Sequence, residues 1–339
     1  MTSRRWSPTV APDPILDAIP PASGAVVMGT GIVSIALTLD SHETLSVVLL
    51  VLAAAAWVTL AVLLPARALR DRPRFRDDVR LPAAFTSVAG TAVLGTRLTL
   101  LGWTGAAGAL LAIAFAVWLG LIGTVLRNWR TPTVGASFIL TVGTESLALL
   151  AAALALADHA GWLLGASLPP FVLGLGFYAF VLRHFDRTQL ATGRGDHWVT
   201  GGALAISTVA AGRITLAAEH LRVLHDAVGT LKVVSLVLWV LALAWLPALI
   251  FAEARWPRRG YYVRRWSTVF PVGMYAACSF VVGDIDSAPA ITSFARVWIW
   301  IAVAVWGVVA CGLARAATRA IGEALRHQSG PRPASGAHP

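Results

Sequence analysis

The segment PASGAVVMGTGIVSIAL at residues 21–37 returns in outline as LPAAFTSVAGTAVLGTRL at residues 81–98. In both segments a proline, Pro21 or Pro82, stands eight residues before a Gly-Thr pair. Three further copies of this spacing, the last two weaker, begin at Gly135, Leu204 and Pro271. A spacing that recurs along one chain is typical of a fold built from tandem structural units.

Composition indicates that most of the chain lies in lipid. Hydrophobic residues make up 57% of the chain and charged residues 13%, and the mean hydropathy is +0.72, which is more apolar surface than one soluble core hides. Apolar runs of roughly 18 to 25 residues recur, each long enough to cross a hydrocarbon layer about 30 Å thick. The sequence predicts an all-α integral membrane protein with ten transmembrane helices, at residues 20–39, 45–65, 81–101, 103–126, 133–157, 162–182, 198–218, 229–251, 267–283 and 291–314.

The repeat falls on the odd-numbered spans, whereas the even-numbered spans are plain apolar helices such as LSVVLLVLAAAAWVTLAVLL. We therefore predict five tandem helical hairpins, each an odd helix followed by an even one. Glycine and proline are tolerated in membrane helices that protein or a watery cavity surrounds, so we expect the odd helices inside and the even helices outside. Five inner helices either enclose a pore or pack tightly through their small residues, and the pattern leaves both arrangements open.

The distribution of basic residues predicts the orientation in the membrane. Of the 27 Lys and Arg residues, 22 lie in the N-terminal tail, in alternate connections or in the C-terminal stretch. The intervening connections contain a single basic residue, Arg222. This asymmetry follows the positive-inside rule if both termini are cytoplasmic. We predict a multi-pass protein of the cell membrane with a cytoplasmic tail at 1–18, a transmembrane domain at 19–318 and a cytoplasmic tail at 319–339.

Several other classes of protein fit the sequence poorly. A net charge of +10 suits nucleic-acid binding, but no aromatic platform accompanies the arginines, so we expect no nucleic-acid partner. The eight histidines and two cysteines show no paired metal-ligand spacing, and we expect neither metal nor cofactor. The pair Asp77-Asp78 lies in an arginine-dense connection, and HExxH, GxSxG and P-loop motifs are absent from the sequence, so we predict that the protein is not an enzyme.

The chain resembles the tellurite-resistance/dicarboxylate transporter family, which includes plant slow anion channels, fungal malate and sulfite carriers and bacterial TehA-like proteins. The resemblance rests on the first segment quoted above, on WSTVFPVGMYA at residues 266–276 and on the ten-span plan. It covers about residues 15–318. It implies a homotrimer in which each protomer has its own anion pathway, walled by the odd helices and obstructed by a phenylalanine of span nine. Matched to this sequence, that residue is Phe270.

Charged residues within the spans are candidates for the anion pathway, because they are costly in lipid and usually face an interior. Glu145 and Arg213 both lie near the middle of their predicted spans. Two interpretations remain open: a structural ion pair, or a functional site in which Arg213 attracts an anion while Glu145 tempers that attraction or takes up a proton. Arg97 lies nearer the outside and is expected to attract anions at the outer mouth.

The repeat also aligns three hydroxyls, those of Thr30, Thr91 and Thr144, with Arg213. Nine residues past the first position of each copy correspond to about 13.5 Å of helix, close to mid-membrane. We expect these four side chains to line the pore and bind anions, although such threonines equally often bond back to their own helices.

Together these features predict a transmembrane anion channel or transporter with a central pore in each protomer, gated by a phenylalanine. Its partners would be small inorganic or organic anions and the lipid bilayer. The alternative is a proton-coupled carrier of C4-dicarboxylates, sulfite or tellurite-like oxyanions. Single-channel currents favour the channel, and saturable pH-driven exchange favours the carrier.

The orientation is tested by cysteine labelling in intact cells. Cysteines placed at Ser41, Asp158 or Ser287 are expected to react with an impermeant thiol reagent added outside, because these connections are poor in basic residues. A cysteine at Arg74, in an arginine-rich connection, is expected to react only after the cells are opened. The reversed labelling pattern would overturn the orientation.

Overall fold

Helix is the secondary structure of nearly the whole described chain. The computed structural model describes residue 20 and residues 22–193, 195–258 and 260–328. Within these ranges no strand forms, and one isolated bridge pairs Thr133 with Phe185. The predicted all-α class is therefore confirmed.

Ten longer helices follow one another along the described residues, and they are labelled in chain order. They are α1 (Gly24–Leu39), α2 (Glu43–Arg70), α3 (Thr86–Leu100), α4 (Thr104–Arg127), α5 (Ile139–Ala157), α6 (Gly161–Arg183), α7 (Val199–Leu221), α8 (His225–Arg255), α9 (Trp266–Ile285) and α10 (Pro289–Gln328). Two short helices, Arg72–Asp78 and Gln189–Thr192, lie in connections. Helix α10 continues past the predicted domain boundary at residue 318. The predicted tail at 1–18 and residues 329–339 lie outside the described residues.

Each odd helix after α1 begins with a 3₁₀ turn. The turns are Pro82–Phe85, Gly135–Phe138, Asp196–Trp198 and Val263–Arg265. They bring the starts of neighbouring odd helices into backbone contact: a Cβ on Gly24 would lie 2.5 Å from the Thr86 carbonyl oxygen, and one on Gly135 would lie 2.4 Å from that of Asp196. Glycine is required at these two positions, because any larger residue would push the helix ends apart.

Eight helices of the described chain, α2 and α4–α10, are long and apolar enough to cross a membrane, when the 3₁₀ turns are counted with the helices that they precede. Helix α1 is apolar but has 16 residues. Helix α3 has 15 residues and carries several hydroxyls together with Arg97. The chain is thus a multi-pass membrane protein.

Burial divides the helices into two classes. In the most apolar windows of α5, α7 and α9, 89–94% of residues are buried, against 17–33% for the even helices. Each odd helix packs along the even helix that follows it, and the odd helices also pack on one another in a closed cycle, α1–α3–α5–α7–α9–α1. Helices α1 and α3 are buried along most of their length in the same way. The five odd helices therefore form an inner ring within an outer layer of even helices.

Tryptophan side chains of the outer layer form hydrogen bonds to the inner ring. The indole N–H of an even-helix tryptophan donates to a hydroxyl on the next odd helix in four places: Trp57 to Thr91 (2.9 Å), Trp118 to Thr144 (3.0 Å), Trp239 to Ser279 (2.8 Å) and Trp306 to Thr30 (3.1 Å). An indole N–H at an apolar interface needs such a partner. The last bond joins α10 to α1 and so links the two ends of the cycle.

The bond between Trp118 and Thr144 is expected to stabilise the fold. Trp118→Phe and Thr144→Val should each lower the free energy of unfolding by about 0.5–1.5 kcal/mol, because each leaves a buried polar group without its partner. Equilibrium unfolding in detergent measures both effects. The double variant should cost less than the sum of the two single variants. Trp162→Phe is the control, since Trp162 is 74% exposed. A fully additive double variant would contradict the bond's contribution.

Candidate anion pathway

Helix α9 is held between α1 and α7 by close contacts on two of its faces. On one face, a Cβ added to Gly29 of α1 would lie 3.2 Å from Trp266 and 3.3 Å from Val269. On another, a Cβ added to Gly202 of α7 would lie 2.7 Å from Pro271. The neighbours of α9 in the ring therefore contact it along defined faces, and these faces fix the direction of its other side chains.

Phe270 lies between these two contact faces. Successive residues turn by about 100° around a helix, so Phe270 projects between the α1 side and the α7 side. The opposite face bonds to outer helices, where the Val272 carbonyl accepts from Trp298 (3.0 Å) and Ser279 accepts from Trp239. Phe270 is fully buried. By this geometry, position 270 lies on the side of α9 that faces the axis of the inner ring.

The depth of Phe270 follows from where α9 begins. Span nine was predicted to start at residue 267, but the 3₁₀ turn at Val263–Arg265 leads into the helix without a break, and α9 continues through Pro271 to Ile285. Phe270 is seven residues past Val263, or about 10 Å along the axis. It therefore lies deeper than the predicted start implied, in the half nearer the 3₁₀ turn.

The other odd helices present small or apolar side chains to the same axis. By the same helical spacing, Met28, Ala89, Val142 and Ala210 lie on the axis side of their helices, and Met274 lies one turn beyond Phe270 on α9. All five are buried. No fixed charge is found among these positions. The axis side of the ring is therefore apolar at these positions.

The three threonines of the repeat face the outer helices instead. Thr30, Thr91 and Thr144 accept the tryptophan N–H groups described above, and Thr91 and Thr144 donate their own hydrogens to the Ser87 and Leu140 carbonyls at 2.8 and 2.9 Å. The expectation that these three threonines form an anion-binding ring is therefore corrected, because their hydroxyls bond to outer-helix tryptophans. The repeated Gly-Thr pair serves helix packing. In each pair the glycine faces a neighbouring odd helix, and the threonine after it faces a tryptophan of an outer helix.

A structural ion pair between Glu145 and Arg213, one of the two interpretations that the sequence left open, does not form. Glu145 Oε1 accepts a bond from Ser207 of α7 (3.0 Å), and its side chain fills a space left by Gly174 of α6, where a Cβ would lie 2.6 Å from Oε1. Glu145 Oε2 has no hydrogen-bond partner in the described structure. Arg213 lies six residues beyond Ser207 on α7, about 9 Å further along the helix. Arg213 therefore lies at a different depth from Glu145, and on a different face of α7 from the Ser207 that bonds to Glu145.

Arg213 lines a cavity of about 670 Å³ at the C-terminal ends of α1, α7 and α9. Leu39, Val281, Asp284 and Arg296 of α10 line the same cavity. Arg213 is largely buried, and its Nε has no hydrogen-bond partner among the described residues. An unpaired guanidinium N–H in a cavity is a donor suited to an anion.

Arg97 bonds to the outer helix α2 and is not exposed, although it was expected to attract anions at the outer mouth. It is fully buried, its Nε donates to Ser46 of α2 (3.0 Å), and its Nη2 forms an ion pair with Glu43. Both partners lie at the start of α2. Sequence reasoning did not find these partners, because Glu43 stood outside the predicted second span.

Other contacts were also absent from the sequence-based predictions. These are Gly174 and Ser207 around Glu145, and the tryptophans that bond to the ring. The recurrence of tryptophan on the even helices was the available signal for the second set. Among the described residues, no group of three or more His, Cys, Asp and Glu side chains is arranged to hold a metal ion.

Comparison with known proteins gives two kinds of match. Two curated relatives, uncharacterized membrane proteins of Mycobacterium tuberculosis strains CDC 1551 and H37Rv, are each 30% identical over 118 residues, or 33% of this chain. The chain matches 59% of the length of each relative. A family model described as voltage-dependent anion channel matches residues 18–314. The chain therefore belongs to the voltage-dependent anion channel family.

Proposed function

We propose that the protein conducts anions through a passage along the axis of the inner ring, one passage in each protomer of a homotrimer. The observation that carries this proposal is the position of Phe270, buried on the axis side of a closed ring of five helices. In this proposal all ten helices cross the membrane, because α1 and α3 complete the ring that the other three odd helices form. Both termini are then on the cytoplasmic side of the cell membrane.

The cavity around Arg213 is the outer entrance of this passage. Its guanidinium attracts anions and repels cations, and the neighbouring Asp284 reduces the net charge so that an anion is released again. Gly202 touches Pro271, and Arg213 is eleven residues further along α7, so the charge lies about 16 Å outward of the constriction. Phe270 closes the passage below this entrance until its ring moves.

Removing the aromatic ring tests the gate. Phe270→Ala is expected to raise anion flux into liposomes several-fold, because it opens the blocked part of the passage. Phe251→Ala is the matched control, since Phe251 is 65% exposed on α8 and should leave the flux unchanged. If Phe270 only fills a core, its removal costs about 3–5 kcal/mol of stability and the flux does not rise. That result in a folded trimer would refute the gate.

Arg213 and Glu145 are expected to act independently. Arg213→Gln should weaken anion flux or affinity, whereas Lys232→Gln, which removes a surface ion pair with Glu219 (2.7 Å), should not. Because Glu145 and Arg213 make no contact, the effects of Arg213→Gln and Glu145→Gln on flux should add in the double variant. A double variant that restores the flux lost in either single variant would show that the two charges are coupled after all.

The alternative function is a proton-coupled carrier of C4-dicarboxylates, sulfite or tellurite-like oxyanions. The observation that favours it is the buried Glu145 carboxyl, whose Oε2 lacks a partner, since an unpaired carboxylate in an apolar interior is stabilised by taking up a proton. Flux of chloride, nitrate, sulfite, malate and succinate at two pH values separates the functions. Pore conduction persists without a proton gradient, while coupled exchange depends on it and loses that dependence in Glu145→Gln.

A further inference from the structure

A groove runs along the outer surface between α2 and α4, away from the inner-ring axis. Leu60 and Leu64 of α2 form one wall, Val117 of α4 forms the other, and Gly24 and Gly90 of the inner ring lie at its floor. Its volume is about 470 Å³, within the roughly 300–1,000 Å³ typical of ligand sites. The walls belong to outer helices with exposed apolar faces, so hydrocarbon, not water, has access to this groove.

The length of the groove matches one leaflet of a bilayer. Along α2 it extends from Trp57 to Arg67, ten residues or about 15 Å of helix. The hydrocarbon core of a membrane is about 30 Å thick, so the groove reaches from near the midplane to the surface. In the predicted orientation, Arg67 marks the cytoplasmic surface. A lipid acyl chain has this extent and this apolar character.

A basic segment covers the surface end of the groove. Arg67 forms an ion pair with Asp78, and the helix Arg72–Asp78 lies over this end with Phe75 lining the groove. Arg72 and Arg76 of the same helix are exposed. Residues 67–80 contain six arginines and three aspartates, and therefore carry a net positive charge at the level of lipid headgroups.

We propose that this groove binds an anionic phospholipid, with one acyl chain between α2 and α4 and its phosphate on the basic helix Arg72–Asp78. The apolar walls select an acyl chain, and the excess of arginine selects a negative headgroup. The bound chain covers Gly24, Gly90 and Thr91 of the inner ring and so supports α1 and α3 from outside. This proposal depends on the membrane location of the chain and not on anion conduction.

The test uses the full-length protein, delipidated in detergent and titrated with phosphatidylglycerol or phosphatidylcholine. Native mass spectrometry measures bound lipid, and thermal unfolding measures stabilisation. Phosphatidylglycerol should bind more tightly and raise Tm more than phosphatidylcholine. Arg72→Gln and Arg76→Gln should each weaken phosphatidylglycerol binding roughly fivefold and leave phosphatidylcholine unaffected. Arg315→Gln with Arg319→Gln, in exposed arginines of α10, is the matched charge control.

A second pair of variants tests the acyl chain. Ala61→Phe fills the groove and should reduce binding of both lipids, whereas Ala112→Phe, on an exposed face of α4 outside the groove, should not. Equal lipid binding by these two variants would overturn the proposal, as would equal affinity of the unaltered protein for both lipids. Loss of the oligomer in Ala61→Phe with lipid binding retained would also overturn it, and would assign the groove to a second copy of the chain.

Discussion

The fold depends on how closely the backbones of the five inner helices approach one another. At Gly24 against Thr86, Gly135 against Asp196 and Gly202 against Pro271, an added Cβ would lie within 2.4–2.7 Å of its neighbour, where no side chain fits. Each contact joins one odd helix to the next, and together they keep the ring narrow. In a narrow ring, a single aromatic side chain on the inner face would be large enough to obstruct the passage proposed above.

The outer helices are held to this ring by polar bonds, because hydrophobic burial offers little advantage between two surfaces that lipid also wets. Four interfaces between an even helix and the following odd helix carry a tryptophan-to-hydroxyl bond. At the fifth, between α6 and α7, Gly174 leaves a space that Glu145 fills, and Ser207 donates to its carboxyl. The interface that departs from the repeat thus holds a buried carboxyl, that of Glu145, with one unpartnered oxygen, and this group gives the carrier alternative its physical basis.

The sequence predicted the elements of this fold better than the directions of its side chains. Apolar run length located the long helices, and the repeat of glycine positions distinguished the inner helices from the outer ones. Direction requires the rotational phase of each helix, which depends on partners distant in the chain. Thr91 therefore accepts a hydrogen bond from Trp57 and does not face the axis, and Arg97 forms an ion pair with Glu43 on another helix. Similar predicted depth also made an ion pair between Glu145 and Arg213 plausible. In the structure Glu145 bonds instead to Ser207, on a different face of α7 from Arg213.

Phe270 was chosen as the gate by resemblance, and the structure adds that its neighbours on α9 contact α1, α7 and the outer helices. The separation between Phe270 and Arg213 has a physical consequence for the proposed passage. A guanidinium at the constriction would bind an anion strongly in a low dielectric and slow its release. In the passage proposed above, the same charge is placed about 16 Å outward, in a wide cavity beside Asp284. There it would concentrate anions at the entrance, while the apolar constriction would admit them only once the aromatic ring moved aside.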